Sequence, residues 1–305
     1  MKTTAIEGEV INAPAEKARP RSRAATDFAQ LVKARLTLLV LLTTTVGFYL
    51  GAQNPINFLA LFHAVFGTAL AAAGAAALNQ WWERRVDALM QRTKVRPIPA
   101  GRMSARAAFV IGALLAVSGI AYLALACNAL AAFLAALTII LYIFAYTPLK
   151  RISTANTLVG AIPGAIPPMI GWVAARGELD AGAWSLFAIL FFWQMPHFFA
   201  LAWMYREDYA RAGFRMMSGD DDTGTRTSSQ SVLFCILLLV VAAVPAYLGL
   251  TSVLYLLISF ALGGWFIAIA MKFHGRRSLP DARALFVTSI IYLPLLLGAL
   301  VLTKT

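Results

Sequence analysis

Asn79, Glu83 and Asp87 stand four residues apart at the end of a long apolar run. On a helix that spacing stacks them turn upon turn along one face. Three oxygen-bearing side chains on one stripe suit a hard divalent cation such as Mg²⁺, which also takes water and substrate phosphate oxygens. Bases follow at once: Arg92, Lys94, Arg96 and Arg102. Guanidinium groups grip phosphate as forks and ammonium groups as point charges. These residues predict a metal-and-diphosphate site at a membrane surface. The plainer alternative is the solvated, positively charged flank of a membrane helix. It accounts for the bases but not for acids spaced along one face.

Two further clusters could join such a site. Tyr146-Thr147-Pro148-Leu149-Lys150-Arg151 places Lys150 and Arg151 where they could reach a diphosphate, although alone it also reads as an ordinary basic turn. Pro196-His197 lies inside an aromatic apolar stretch, Phe191 to Trp203, that runs on into Glu207 and Asp208. An ionisable residue at membrane depth is a functional candidate, with a hydrogen bond between helices as its alternative use. Asp220-Asp221-Asp222, set among Ser, Gly and Thr, reads as a solvated loop.

The elements that must position these groups follow from composition. Hydrophobic residues make up 60% of the chain and charged residues 13%, and the mean hydropathy is +0.73. Soluble domains carry about 25% charged residues, so the chain is expected to be an all-α, polytopic membrane protein. The net charge of +12 does not indicate a nucleic-acid partner, because the bases sit in short loops between apolar runs and no nucleic-acid-binding motif is present. Nine segments reach the roughly 20 apolar residues a bilayer requires, near 34–52, 57–80, 107–127, 129–147, 155–175, 182–204, 231–250, 252–272 and 284–302. Short separators imply antiparallel neighbours, hence a bundle of nine transmembrane helices with cytoplasmic cap loops. With the N-terminus inside, 24 of the 26 Lys and Arg fall on the inner side. That asymmetry predicts a cytoplasmic N-terminus and a C-terminus outside.

Residues 1–30 read as a flexible cytoplasmic tail ending in a short interfacial helix around Asp27 to Lys33, and residues 31–305 as the membrane domain. Cys127 and Cys235 fall on opposite sides of the bilayer, which excludes a disulfide. The inner stretches 81–106 and 206–230 occupy equivalent positions, a two-fold pattern carried by placement alone. In the fifth span, Gly160-Ala-Ile-Pro163-Gly-Ala-Ile-Pro167-Pro168 should break the helix and is expected to line a pocket.

From about Lys33 onward the chain resembles the UbiA superfamily of intramembrane prenyltransferases. The resemblance rests on Asn79-x3-Glu83-x3-Asp87, Arg92-Thr-Lys94-Val-Arg96-Pro97, Tyr146-Thr-Pro148-Leu-Lys150-Arg151, and Pro196-His197-Phe198 leading to Glu207-Asp208-Tyr209-x3-Gly213. Within the superfamily it is similar to the branch that prenylates haem. Two positions depart from the wider pattern: Glu83 stands where Asp is usual, and Phe198 stands near an expected acid, which disfavours a symmetric two-metal site.

The resemblance implies a reaction in which farnesyl diphosphate alkylates the 2-vinyl group of haem b, giving haem O and diphosphate, with Mg²⁺ as cofactor. Asn79, Glu83 and Asp87 would then be metal ligands, while Glu207 and Asp208 either hold a second metal or orient Lys150 and Arg151. Arg92, Lys94, Arg96, Lys150 and Arg151 are the expected diphosphate clamp, with Tyr146 beside them in substrate binding. His197 is expected to meet haem, at the iron or at a propionate. The implied partners are both substrates, the lipid bilayer and haem A synthase, and the implied location is the inner (cytoplasmic) membrane. Two other readings stand beside this one. The acceptor could be an aromatic or quinone precursor, or the chain could be a small-solute transporter, which leaves the acid spacing unexplained.

Overall fold

A computed structural model describes residues 20–53 and 55–305. Residues 1–19 of the expected tail lie outside the described residues. Among the described residues a helix α1, Pro20–Leu31, precedes nine long apolar helices: α2 Ala34–Gly51, α3 Phe58–Asp87, α4 Ala105–Ala126, α5 Ala129–Leu149, α6 Asn156–Arg176, α7 Ala181–Met204, then α9 Thr225–Tyr247, α10 Val253–Arg276 and α11 Leu279–Leu302. The short helix α8, Arg206–Arg211, lies in the loop after α7. Among the described residues the one β contact is an isolated bridge between Thr251 and Lys304. This is an all-α, multi-pass membrane protein.

Side chains at several starts satisfy otherwise unpaired backbone N–H groups. Asn57, Ser104, Asn128 and Ser278 accept from Ala60, Ala107, Ala131 and Asp281, and Asp180 accepts from Gly182 and Ala183. The Ser278 cap starts α11 at Leu279, not near 284. α9 begins at Thr225, not near 231, after Gly224, with Asp221 accepting from the Thr227 N–H at 2.7 Å. Hydropathy finds the buried middle of a helix and misses its polar first turns. The two cysteines are free.

The most consequential extension is in α3. At about 1.5 Å per residue its 30 residues exceed the roughly 30 Å hydrocarbon core, so its polar last turns reach beyond that core. Those turns carry Asn79, Glu83 and Asp87, all buried. In lipid, helices gain by close backbone approach. Where α2 crosses α6, a Cβ on Gly47 would stand 2.0 Å from the Pro168 carbonyl oxygen, and one on Gly171 would stand 1.9 Å from that of Thr44.

Two irregular helices shape the space beneath the loops 88–104 and 205–224. α5 widens into a π-helical stretch, Leu141–Tyr146, in which the Thr147 N–H bonds to the Tyr142 carbonyl. α6 breaks at Ile166 before Pro167 and Pro168, and Thr44 donates to the Pro167 carbonyl at 3.2 Å. The break does not line the pocket beside the end of α3. Gly164 packs against Gln194 and Gly160 against the Tyr146 ring, and only the start of α6, Asn156 and Thr157, borders the pocket.

Residues 88–104 and 205–224 meet over that pocket. Asp208 accepts from the backbone N–H groups of Gln91 and Arg92, both at 3.4 Å, and Met90, Tyr209, Phe214 and Met216 share a buried cluster. The helix expected near 27–33 forms earlier, over Pro20–Leu31, and packs on the bundle. Gln80 Nε2 donates to the carbonyls of Gln30 and Leu31 at 2.7 and 2.8 Å.

Candidate active site

The end of α3 supplies the acids and its neighbours supply the cations. Glu83 Oε1 pairs with Lys150 Nζ at 2.8 Å, and Asp87 Oδ2 pairs with Arg96 Nη1 at 2.7 Å. Asn79 sits at the centre of a small network. Its Nδ2 donates to Glu83 Oε2 and to Thr147 Oγ1, while its Oδ1 accepts from Lys33 Nζ at 2.7 Å. Lys33 also donates to the Tyr142 hydroxyl at 3.2 Å. Lys33, Glu83, Asp87, Arg96, Tyr142 and Lys150 border a cavity of about 260 Å³ whose other walls include Leu36, Phe198, Leu201, Phe214 and Met216, while Asn79 and Thr147 lie buried behind them. Ionic and apolar side chains share its lining, and the Lys150 ammonium lies 5.5 Å from the Phe214 ring centroid.

The two lysines respond oppositely to this environment. Lys33 is driven down to about 7, first by loss of solvent and then by the Arg96 charge, with Glu83 and Asp87 opposing. Burial would also push Lys150 down, but the adjacent Glu83 carboxylate and the Tyr146 and Tyr142 oxygens raise it above the ordinary lysine value. Lys150 is therefore a fixed cation. Its ammonium lies 4.4 Å from the Tyr146 ring centroid, a cation–π contact, and Tyr146 stacks on Tyr142 at 5.6 Å.

Residues 40–294 match the UbiA prenyltransferase family. The chain belongs to that family. The match is supported by protoheme IX farnesyltransferases from Solibacter usitatus, 45% identical with 91% of this chain and 98% of that one covered, and from Opitutus terrae, 44% identical with 92% and 95% covered. The fold agrees with a solved digeranylgeranylglyceryl phosphate synthase (TM-score 0.78, 14% identity, 92% of this chain and 98% of that one). It also agrees with a UbiA homologue from Archaeoglobus fulgidus solved with GPP and Mg²⁺ (TM-score 0.63, 14% identity, 90% and 99%). As a UbiA prenyltransferase the chain is an enzyme, and the transporter reading falls away.

The donor set of this UbiA prenyltransferase fits a hard divalent ion. Asp87 Oδ1 is buried with no hydrogen-bond partner among the described residues, an expensive state for a carboxylate oxygen unless a cation takes it. Among the described residues no three His, Cys, Asp or Glu side chains converge. Two carboxylates and one amide leave coordination positions to water and phosphate, as Mg²⁺ prefers.

Other expected residues part company here. Arg92 borders the cavity, its Nη2 donating to the Tyr209 hydroxyl at 3.3 Å and its guanidinium 5.0 Å from the Tyr205 ring centroid. Lys94 and Arg151 are exposed and do not border it. Arg102 is engaged by Asp27 at 2.8 Å, which removes it from the phosphate bases. Glu207 is exposed, and Asp208 is occupied by Arg211 and by the backbone of residues 91–92. The pair therefore organises the loops and does not face the acidic stripe.

His197 lies away from the cavity, against α11. Its Nδ1 is 2.8 Å from Ser289 Oγ, and its ring stacks between Trp193 and Phe286 at 5.4 and 4.7 Å. His197 does not border the cavity, and its observed partner is Ser289, the hydrogen bond between helices that the sequence also allowed. His197→Ala is expected to lower stability by about 1–3 kcal/mol, the scale of a lost hydrogen bond and its packing. Michaelis constants for both substrates should stay near wild type. Thermal melts and steady-state kinetics check this, and a selective loss of affinity for one substrate would reverse the assignment.

Sequence reasoning missed Lys33, Tyr142, Thr147 and Asn156. None of them left a mark in the residue string: Lys33 stands out only by its backbone, φ 48°, ψ 52° at the start of α2, a region disfavoured for most residues with a Cβ.

Proposed function

We propose that this UbiA prenyltransferase transfers the farnesyl group of farnesyl diphosphate to the 2-vinyl group of protohaem IX (haem b), forming haem O and releasing diphosphate. The observation that carries the transfer chemistry is the apposition of Glu83 and Asp87 with Lys33, Arg96 and Lys150 in the lining of a cavity that also carries Leu36, Phe198, Leu201 and Phe214. The acceptor is supported by the protoheme IX farnesyltransferases that align over nearly their whole length.

The allylic C–O bond breaks with its electron pair leaving on the diphosphate. Arg96 and Lys150 stabilise that anion, with Arg92 at the cavity edge, and Lys33 lies within reach of it. Asn79, Glu83 and Asp87 would hold Mg²⁺, which when bound supplies charge neutralisation of the leaving group. The farnesyl cation is shielded by aromatic faces, with Tyr146, Phe198 and Phe214 at the cavity. The vinyl carbon attacks it, and water completes the hydroxyethylfarnesyl group with loss of a proton.

The charge asymmetry supports a cytoplasmic N-terminus in a bacterial inner membrane, with the site at its inner surface. The test is incubation of membranes containing the chain with haem b, farnesyl diphosphate and Mg²⁺, followed by mass analysis. Haem O is expected, and none should form with a chelator present. A farnesylated aromatic acid in competition assays, with no haem O, would move the acceptor to the quinone-precursor alternative.

A further inference from the structure

Helix α1 is tied to the active site by contacts that the reaction itself does not use. Arg102 Nε donates to Asp27 Oδ1 at 2.8 Å, and its Nη2 donates to Gln30 Oε1 and to the Val95 carbonyl at 3.3 and 2.9 Å. Gln80, the residue after Asn79, donates to the last carbonyls of α1. Between α1 and α2 the chain turns at Lys33 in the left-handed region. A lysine there is strained, so the conformation persists only if neighbouring contacts hold it. The turn brings Lys33 Nζ to Asn79 Oδ1 and Tyr142. Asp27 is 8% exposed and does not border the cavity.

We infer that α1 is a latch in which Asp27 and Gln80 are positioning residues, holding Lys33 over the acidic stripe so that its ammonium meets an incoming diphosphate. Arg102 extends the latch into the loop that carries Arg96, so helix, loop and stripe close into one ring of contacts. The inference rests on the diphosphate-binding part of the reading above and is independent of the acceptor.

The test measures binding of inorganic diphosphate with Mg²⁺ to the full chain in lipid nanodiscs by calorimetry. Lys33→Met and Asp27→Ala are each expected to weaken binding by about tenfold, the scale of one charge-assisted hydrogen bond. Because both remove the same contact, the double variant should lose no more than about tenfold, whereas independent effects would multiply to about a hundredfold. Exchanging the charges, Asp27→Arg with Arg102→Asp, should restore affinity, and this pair carries the test if Asp27→Ala fails to fold. Multiplied losses, wild-type affinity in either single variant, or no recovery on charge exchange overturns the latch. Retention of this pattern in a chain that makes no haem O keeps the latch and discards the acceptor.

Discussion

Asp87→Asn is expected to lower turnover by about 10²–10³-fold, about 2.7–4 kcal/mol, the loss seen when one preorganised electrostatic contact is removed from a transition state. Asparagine keeps the size of the side chain and an acceptor for Arg96. It removes the charge that makes the buried, unpartnered Asp87 Oδ1 a cation ligand. The loss should deepen as Mg²⁺ falls and shrink as it is raised. Turnover measured across a Mg²⁺ titration checks this, and near-wild-type rates at low Mg²⁺ would remove Asp87 from the metal site.

The second large effect belongs to the pair of Glu83 and Lys150, with side chains 7% and 11% exposed. Removing one partner of a buried pair strands the other charge, at a cost of about 3–5 kcal/mol. Lys150→Met should therefore melt well below wild type when no metal or diphosphate is present. Added Mg²⁺ should recover part of that loss, because a cation returns beside Glu83. Pairing the change with Glu83→Gln should recover stability without metal, while activity stays lost. A single variant as stable as wild type, or a double variant no better than the single, would show that the pair carries little of the fold's stability.

The fold was legible where one number per residue suffices. Hydropathy located nine spans, and the four-residue spacing of Asn79, Glu83 and Asp87 placed them on one face before any coordinates. The clamp was only partly legible, because the bases after α3 are spaced alike but the loop's course is decided by Asp208, more than a hundred residues away. Arg96 and Arg92 turn to the cavity while Lys94 does not, and nothing in their spacing distinguishes them. His197 shows the same limit. A buried imidazole is chemically suited to a haem or to a serine, and the Nδ1 partner here is Ser289, 92 residues away in the sequence.

The wide turn at Leu141–Tyr146 carries a consequence for how insertions and deletions act on this family fold. A π-helical turn arises where one residue more than an α-helical turn is accommodated, and such turns concentrate at functional sites. In an α-helix each residue advances the azimuth by about 100°. Deleting one residue within this turn would let it revert to ordinary α-helix and leave Thr147 and Lys150 near their present azimuth, still facing Asn79 and Glu83. The same deletion from the regular α-helical stretch Ala129–Ile140 would swing one end of α5 against the other by about that angle, with every side chain of the site still present. The wide turn is thus a place where the chain can lose a residue and keep the phase between acid and cation.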